Sequence, residues 1–368
     1  MSNIMIIASY CAPYGGNFIS SVKMFADKMR ELKHDVVFVF PQDTKNKEWV
    51  QRLEKEYAVI YIDNPHKTLQ RKIIKQIKDI IKERKIEVVY SHFTGYDLDC
   101  FFACMGQAKL VVHMHNPINI MESNDWKQRV KSKVKWKLFN HRVQVIACAS
   151  HLLEYIAGFG FDISESTYVL NGIDVDRVVN SKGINPFPYD TSEINILMHG
   201  WDPHRKGVDI AVKAINKVCE NVHLYITFVD KMIMDNYLDS LHVNVEAEKI
   251  TLLPAVENIM DYLDGADIFI SPSRAEGSPY SLMEAIMAGK PSIGTNLPGL
   301  DWQNEIPALW TIDVDDDDAL AKSIREIIKM DKIELLDRIS ASKDIIVNKH
   351  SADAWASKIT QYFVEKVV

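Results

Sequence analysis

The 368-residue sequence has few cysteines, no long apolar run and no low-complexity segment. Its longest apolar stretches, such as residues 4–8, are far shorter than the roughly 20 residues that a membrane-spanning helix needs. No basic segment precedes that stretch, so we expect no signal peptide. Five cysteines without paired spacing predict reduced thiols rather than a disulfide framework. The expectation is a cytoplasmic protein, either soluble or attached peripherally to a membrane.

Patterns that bind metals are also scarce. Cys100 and Cys104 lack a neighbouring histidine or a second cysteine pair. Acidic residues at 97–99, at 174–176 and at 313–318 are interpreted as parts of helix starts and a turn. Four histidines outside recognisable motifs are interpreted as packed or exposed side chains: His113, His141, His151 and His199. We therefore predict no metal site, no cofactor and no Ser-His-Asp or Cys-His arrangement.

The charge is unevenly distributed along the chain. The formal net charge of −7 argues against nucleic-acid binding. Residues 1–180 carry 25 Lys and Arg against 20 Asp and Glu, whereas residues 181–368 carry 18 against 30. Basic segments at 71–85 and 126–139, the latter also carrying Trp and Phe, would suit an anionic membrane surface. Alternatively, both are solvated surface helices whose apolar stripes face the core.

The length predicts two domains, because single hydrophobic cores stop growing beyond about 250–300 residues. Short apolar runs alternate with segments of helical periodicity, which predicts parallel sheets with crossover helices. We predict strands at residues 4–9, 36–40, 58–62, 88–91, 110–113, 145–149, 194–198, 224–229, 250–253, 268–271 and 291–294. We predict helices at residues 18–32, 67–84, 208–218, 258–263 and 281–287. A turn-rich boundary at 180–189 would separate two doubly wound α/β domains, each binding ligands at the carboxyl ends of its strands.

Two segments of these domains suggest a phosphate or sugar ligand. Gly15 and Gly16, between a strand and a helix, would admit an anion to the helix N-terminus, although a tight turn explains them equally well. Farther on, a strand, a loop with Glu276 and a helix with Glu284 follow one another. Glu284 would accept hydrogen bonds from a ribose diol and Glu276 from a sugar. Alternatively, Glu284 only caps its helix and Glu276 is solvated. The N–H groups that open this helix would hold a pyrophosphate, and they belong to Tyr280, Ser281 and Leu282.

The segment from Glu276 to Pro291 resembles the E-x7-E signature of family 4 glycosyltransferases with the GT-B fold. Further motifs in the expected order extend the resemblance along nearly the whole chain: Gly15-Gly16, residues 111–117 with His115, residues 145–150, residues 170–174 and Arg205-Lys206-Gly207. The resemblance implies two Rossmann-like domains facing a central cleft. An acceptor-binding domain would span residues 1–180 and a donor-binding domain residues 181–350. Residues 351–368 would form a helix that crosses back to the first domain.

The resemblance also implies roles for single residues. His115 and Glu276 would act on the transferred sugar, Glu284 would bind the ribose, and Lys206 with Arg205 would neutralise the pyrophosphate. The remaining donor-binding positions would be Gly15, Gly16, Ala255, Val256, Ser278, Tyr280, Ser281 and Leu282. One departure is Trp201, which stands where the family often has Arg, so that one phosphate contact is absent or is supplied by Arg205.

The implied activity is that of a retaining, metal-independent hexosyltransferase in polysaccharide or glycoconjugate biosynthesis. It would move a hexose from a nucleotide diphosphate sugar, UDP being the favoured nucleotide, to a glycan or lipid-linked acceptor. No obvious second carboxylate could serve as a covalent nucleophile, which favours front-face attack with the leaving phosphate as base. Two alternatives are a sugar-nucleotide epimerase of the same fold and a catalytically silent, nucleotide-sugar-binding partner of a transferase complex. The enzyme would lie in the cytoplasm, with peripheral attachment to the inner face of the membrane.

Overall fold

The computed structural model describes residues 2–66, 68–115, 126–180, 186–241, 249–256 and 258–368. The chain forms two compact units. Unit 1 comprises Met1–Gly172 together with Ala352–Val368, and unit 2 comprises Ile173–Ser351. Among the helices in the described ranges, none is long and apolar enough to cross a membrane.

Unit 1 is built around a seven-stranded parallel sheet. Its strands are β1 (Asn3–Ala8), β2 (Asp35–Pro41), β3 (Ala58–Ile62), β4 (Val88–His92), β5 (Lys109–Met114), β6 (Val143–Ala147) and β7 (Thr167–Tyr168). Its helices are α1 (Gly16–Glu31), α2 (Glu48–Glu54), α3 (Arg71–Glu83), α4 (Asp97–Cys104), α5 (Trp126–Phe139), α6 (Ser150–Ala157) and α14 (Ala352–Tyr362), the last continued by a π-helical turn at Phe363–Val367. The strand order is β3-β2-β1-β4-β5-β6-β7.

Both faces of this sheet are covered, because its strands are apolar on both sides. Helix α1 directs Phe18, Val22, Phe25 and Met29 into the core at helical spacing. Helix α14 packs against α1, and the ring centroids of Phe25 and Phe363 are 4.8 Å apart. The last residues of the chain are therefore part of the core of unit 1.

Unit 2 is built around a six-stranded parallel sheet in the order β10-β9-β8-β11-β12-β13. Its strands are β8 (Ile194–His199), β9 (Val222–Phe228), β10 (Ile250–Pro254), β11 (Ile268–Ser271), β12 (Ser292–Thr295) and β13 (Leu309–Ile312). Its helices are α7 (Val175–Asn180), α8 (Val208–Asn216), α9 (Lys231–Ser240), α10 (Met260–Leu263), α11 (Tyr280–Met287), α12 (Asp317–Lys329) and α13 (Lys332–His350). Two parallel, Rossmann-like sheets confirm the predicted α/β class.

Most predicted elements occur close to the expected residues, and Ala58–Ile62 and Ile268–Ser271 form strands at the predicted positions. The acidic run before α12 does start a helix, because the side chain of Asp316 accepts a hydrogen bond from the N–H of Ala319 at 2.8 Å. Helix α3 begins only at Arg71, so the preceding Leu69 lies outside the helix and is exposed.

Helix α5 buries two of its three aromatic residues and leaves the third, Trp126, exposed. Trp136 and Phe139 are buried in the core of unit 1. The ammonium of Lys135 lies 2.7 Å from the carboxylate of Asp97, which is buried and also accepts a hydrogen bond from Ser91. The suggestion that Trp136 and Phe139 contact a membrane surface is therefore wrong, and for these two residues the alternative of an apolar stripe facing the core is confirmed.

Candidate functional site

The strand order of unit 2 changes direction between β8 and β11. In a doubly wound sheet, the loops that leave neighbouring strands at such a switch point diverge and open a crevice at the carboxyl ends of the strands. The loop after β8 carries Arg205 and Lys206, and the loop after β11 carries Glu276. The topology therefore directs the predicted diphosphate and sugar residues to one place.

A glycine allows these two loops to approach each other closely. Gly207, which precedes α8, has a φ of 69°. A Cβ atom at this position would lie 2.0 Å from the carbonyl oxygen of Pro272, which follows β11. The N–H of Arg274 donates to the carbonyl oxygen of Arg205 at 2.7 Å and ties the loops together. A side chain at position 207 would push the two loops apart.

Lys206 and Glu276 form the centre of this crevice. The Lys206 ammonium donates to Glu276 Oε1 at 2.6 Å, and the two side chains are only 7% and 10% exposed. The Arg205 guanidinium lies 3.5 Å from the same carboxylate and donates to the carbonyl oxygen of Ala275 at 2.9 Å. Two cations thus lie at the Glu276 carboxylate, and their guanidinium and ammonium groups are donors of the kind that bind phosphate oxygens.

Trp201 lies against both cations. Its ring centroid is 4.3 Å from the Arg205 guanidinium carbon and 5.3 Å from the Lys206 ammonium. Arg205 is further held by Asp202 at 3.0 Å. Trp201, at the position where the resemblance implies Arg, therefore contacts the neighbouring cations, because an aromatic face attracts and orients them.

His199 ends β8 beside this cluster. Its Nδ1 lies 2.9 Å from the hydroxyl of Thr227. Burial, together with the charge of Lys206, lowers the pKa of His199 to about 4, against a smaller opposing effect of Glu276. The ring is therefore neutral at neutral pH. Sequence reasoning assigned His199 no role, because a single histidine after a strand is not a motif.

The N-terminus of α11 lies directly after the Glu276 loop. The helix begins at Tyr280, with Pro279 as its N-cap, so the backbone N–H groups of its first turn have no partner within the helix. The side chain of Leu282 is buried and lies against Gly294 of β12, where a Cβ would be 2.9 Å from Leu282 Cδ1. Leu282 thus fixes the helix by packing, and Ser278 in the preceding loop is also buried.

Glu284, one turn into α11, pairs with Arg177 of α7 through a charge-assisted hydrogen bond to Oε1. Helix α7 begins just after the Asn-Gly-Ile-Asp turn, and the carboxylate of Asp174 accepts a hydrogen bond from the N–H of Arg177 at 3.0 Å. Sequence reasoning identified the turn but missed Arg177, since the partners are 107 residues apart.

Ala255 and Val256 lie at the carboxyl end of β10, on the same edge of the sheet. The N–H of Ala255 donates to the carbonyl oxygen of Phe228 at 2.8 Å, which continues the pairing of β10 with β9. Ala255 is exposed and Val256 is partly exposed. Small apolar side chains at this edge can contact a flat base.

Unit 1 has its own switch point, between β1 and β4. Gly15 and Gly16 lie in the loop after β1, and Gly16 begins α1 with a φ of 54°. A Cβ at position 15 would lie 3.1 Å from Cβ of Trp49. Backbone conformation and packing thus account for both glycines. They belong to unit 1, whereas the other predicted donor-binding residues belong to unit 2.

Three histidines cluster at the carboxyl ends of β4 and β5. His92 and His113 are register partners on these strands, and His115 follows His113 on the same side. Nδ1 of His92 lies 2.9 Å from Nε2 of His115, and Nδ1 of His113 lies 2.6 Å from the Tyr90 hydroxyl. Sequence reasoning singled out His115 alone and missed its two partners. The motif residues after His115, at 116–117, lie outside the described residues.

Burial keeps this cluster neutral. It lowers the pKa of His115 to about 3, against a smaller opposing effect of a hydrogen bond to Asn171. It also lowers the pKa of His92 and His113 well below the usual value, helped by the mutual repulsion of the protonated rings. Neutral imidazoles can donate and accept hydrogen bonds, so His115 can contact sugar hydroxyls without carrying charge.

Aromatic side chains surround the exposed edge of the cluster. The ring centroid of Phe93 lies 4.7 Å from His115, and that of Phe18 lies 5.4 Å from it. Phe93 has a φ of 62°, which is strained for a bulky residue, and its ring stacks on Tyr10. Strain of this kind concentrates at functional sites, in agreement with a ligand at this edge.

Comparison with known sequence families assigns most of the chain. Residues 20–177 match the family described as Glycosyltransferase Family 4. Residues 193–330 match the family described as Glycosyl transferases group 1. The two matches follow one another along the chain, the first largely within unit 1 and the second within unit 2.

Individual proteins extend this similarity. The O-antigen biosynthesis glycosyltransferase WclY of Escherichia coli is 24% identical over 142 residues, which cover 37% of this chain and 38% of WclY. A glycosyltransferase from Rickettsia africae ESF-5 superimposes with a TM-score of 0.77 at 18% identity, covering 100% of this chain and 98% of its own. Anabaena Alr3699/HepE, solved in complex with UDP-glucose, has a TM-score of 0.78 at 13% identity, with coverage of 99% and 100%. The structural similarities support a shared fold.

Proposed function

The chain is a glycosyltransferase of the GT-B fold that joins a family 4 domain to a group 1 domain, and we propose that it transfers a hexose from a nucleotide diphosphate sugar with retention of configuration. UDP is the proposed nucleotide, and a hydroxyl of a glycan or lipid-linked acceptor is the proposed target. Unit 2 would bind the donor and unit 1 the acceptor. The relatives support this choice, since HepE was solved with UDP-glucose and WclY is described as acting in O-antigen biosynthesis.

The observation that carries the proposal is the contact between Lys206 and Glu276 at the switch point of unit 2. Lys206, with Arg205, would stabilise the negative charge that develops on the diphosphate as it leaves. Glu276 would accept hydrogen bonds from the sugar hydroxyls, and Glu284 from the ribose. The N–H groups at the start of α11 would complete the diphosphate site.

The proposed reaction breaks the bond between the anomeric carbon of the sugar and the diphosphate oxygen. The acceptor hydroxyl oxygen forms the new bond on the same face, and its proton passes to the departing phosphate. The protein supplies position and charge, and no covalent intermediate is required. His115 would contact the sugar in its neutral form.

We further propose that helix α5 attaches the enzyme to an anionic membrane. Its solvent face carries an apolar stripe at positions i, i+4 and i+8, formed by Trp126, Val130 and Val134, which are 66%, 50% and 62% exposed. The helix has six Lys and Arg and no Asp or Glu. Exposed Lys131 and Lys133 flank the stripe, a combination that favours anionic headgroups.

A panel of nucleotide sugars tests the donor assignment. Each compound is mixed with the full-length protein, and thermal stabilisation and release of nucleoside diphosphate are measured with and without candidate glycan acceptors. We expect a UDP-sugar to raise the melting temperature, and acceptor to increase UDP release. Conversion of the donor to its epimer would indicate the epimerase alternative. Stabilisation without product under every acceptor condition would indicate the silent-partner alternative.

A further inference from the structure

The histidine cluster of unit 1 has the arrangement of a metal-ligand set. The register of β4 and β5 places His92 beside His113, and His115 follows on the same face of β5. The ring centroids of His113 and His115 are 4.1 Å apart, and those of His92 and His115 are 5.2 Å apart. One ring nitrogen from each histidine lies within 4.8 Å of the others.

Two nitrogens in the cluster have no hydrogen-bond partner among the described residues. They are Nε2 of His92 and Nε2 of His113, and both side chains are fully buried. Phe18 lies against His92 and Trp355 against His113, and ring faces offer an imidazole nitrogen no conventional partner. A buried polar atom without a partner destabilises the fold, and an ion bound to Nε2 of His113 would satisfy that atom. His92 would bind the ion through Nδ1, the nitrogen that lies near His115.

The donor set favours an ion of the zinc class. Three imidazole nitrogens suit zinc, cobalt, nickel and copper, whereas calcium and magnesium prefer oxygen. Ligand nitrogens on a tetrahedral zinc ion are about 3.3 Å apart. The distance of 2.9 Å between Nδ1 of His92 and Nε2 of His115 is already near that separation. The ligand nitrogen of His113 lies within 4.8 Å of the other two, so a small side-chain movement would bring it to the ion.

Tyr90 provides a further feature of such sites. Its hydroxyl lies 2.6 Å from Nδ1 of His113, so that Nε2 is the nitrogen of that ring available to an ion. Ligand histidines usually hold their second nitrogen in a hydrogen bond of this kind, which fixes the ring orientation. His115 is the least buried of the three residues.

We propose that His92, His113 and His115 bind one divalent transition-metal ion of the zinc class at the carboxyl ends of β4 and β5. The site does not depend on the proposed function. A consequence rests on that function: an ion held by His115 withholds this side chain from the sugar, so the metal inhibits transfer. The fourth coordination position is left for water.

Direct metal binding tests the site without reference to activity. The full-length protein, freed of any polyhistidine tag and treated with chelator, is titrated with Zn²⁺ in a calorimeter and with Co²⁺ in a visible spectrometer. We expect one ion per chain and the intense visible absorption of tetrahedral Co²⁺. In such sites, loss of a residue that hydrogen-bonds a metal ligand lowers metal affinity about 10–100-fold, and loss of a ligand itself should lower it more. His92→Phe and His115→Ala should therefore each lower the metal affinity at least about 100-fold.

A matched control is His141→Asn, because His141 is exposed and has a φ of 59°, which asparagine tolerates. It should bind metal as the parent does. Circular dichroism verifies folding, and His115→Ala decides the result if the buried His92→Phe fails to fold. Absence of binding, or binding retained by His115→Ala, would overturn the site. Binding without inhibition of transfer would leave the site standing and overturn the proposed role of His115.

Discussion

Arg177 binds the carboxylate of Glu284, the side chain proposed to hold the ribose. The pair joins α7 to α11, and its side chains are 28% and 12% exposed. Removing one partner would leave the other charge partly buried without its counter-ion, which destabilises more than loss of a surface pair. Arg177 therefore positions the carboxylate proposed to bind the ribose, as well as neutralising it.

A double-mutant cycle of Arg177→Ala and Glu284→Ala should give a coupling energy of about 1–3 kcal/mol in urea unfolding. The control cycle uses Arg338 and Glu334, an exposed pair on α13 with a separation of 2.9 Å. Its coupling should stay near 0.5 kcal/mol or below. Equal coupling in both cycles would show that Arg177 contributes only as a surface charge.

The donor assignment predicts that Lys206→Ala and Glu284→Ala each weaken UDP binding tenfold or more, about 1.4 kcal/mol, in calorimetry. The Lys206 substitution removes a positive charge from the proposed diphosphate site, and the Glu284 substitution removes the proposed contact to the ribose. Lys213→Ala is the matched control, because Lys213 lies on the following helix α8 with its side chain 46% exposed. UDP affinity unchanged in both site variants would refute the assignment.

Much of this fold was predictable because strands buried on both faces are continuous apolar runs. Helix α13 and strand β13 were not predicted. Many residues of α13 are exposed, which weakens its helical periodicity, and β13 has only four residues. Local pattern carries little signal for either element.

Pairings between distant residues limited the prediction of the site. Lys206 and Glu276 were both identified, since each belongs to a local motif. Their direct contact depends on β8 lying beside β11, which no local pattern encodes. His92 was missed for the same reason, because its relation to His115 follows from the register between β4 and β5.

His115 and Glu276 are proposed to act on the sugar, so their substitution should affect turnover more than nucleotide binding. His115→Ala and Glu276→Gln should each lower kcat about 100-fold or more, as expected for contacts that strengthen in the transition state. UDP affinity should stay within about threefold of the parent. Glutamine is chosen because it retains a hydrogen-bond acceptor for Lys206. The exposed Glu334→Gln is the control, and normal turnover with weakened UDP binding would reverse the assigned roles.

Sedimentation with vesicles tests the apolar stripe and the basic residues of α5. Lys131→Glu with Lys133→Glu should weaken binding to anionic vesicles by about 2 kcal/mol or more, roughly 30-fold, and salt should have the same effect. Trp126→Ala should weaken binding at every salt concentration. Lys135 is left unchanged, because it holds the buried Asp97.

The control for the α5 experiment reverses two exposed lysines of unit 2, Lys322 and Lys332, and so changes the net charge equally. It should retain vesicle binding. If the parent ignores anionic vesicles at low salt, α5 does not bind membranes and a soluble acceptor is favoured.

His199 should make unit 2 sensitive to acid. Its pKa falls from about 6.5 in the unfolded chain to about 4 in the folded protein, mainly through burial. Between these values the unfolded chain binds more protons, so stability rises with pH. The contribution is complete above pH 6.5 and is lost as the pH falls through 4. It amounts to at most about 3 kcal/mol.

The variant His199→Asn removes the titrating ring and retains a side-chain partner for the Thr227 hydroxyl. Urea unfolding of parent and variant, measured between pH 7.5 and pH 4, isolates the contribution of His199 because all other histidines are common to both proteins. We expect a constant difference in unfolding free energy above pH 6.5. Below it, the parent should lose stability faster than the variant. Parallel curves over the whole range would show that His199 becomes protonated in the folded protein without cost, contrary to its burial beside Lys206.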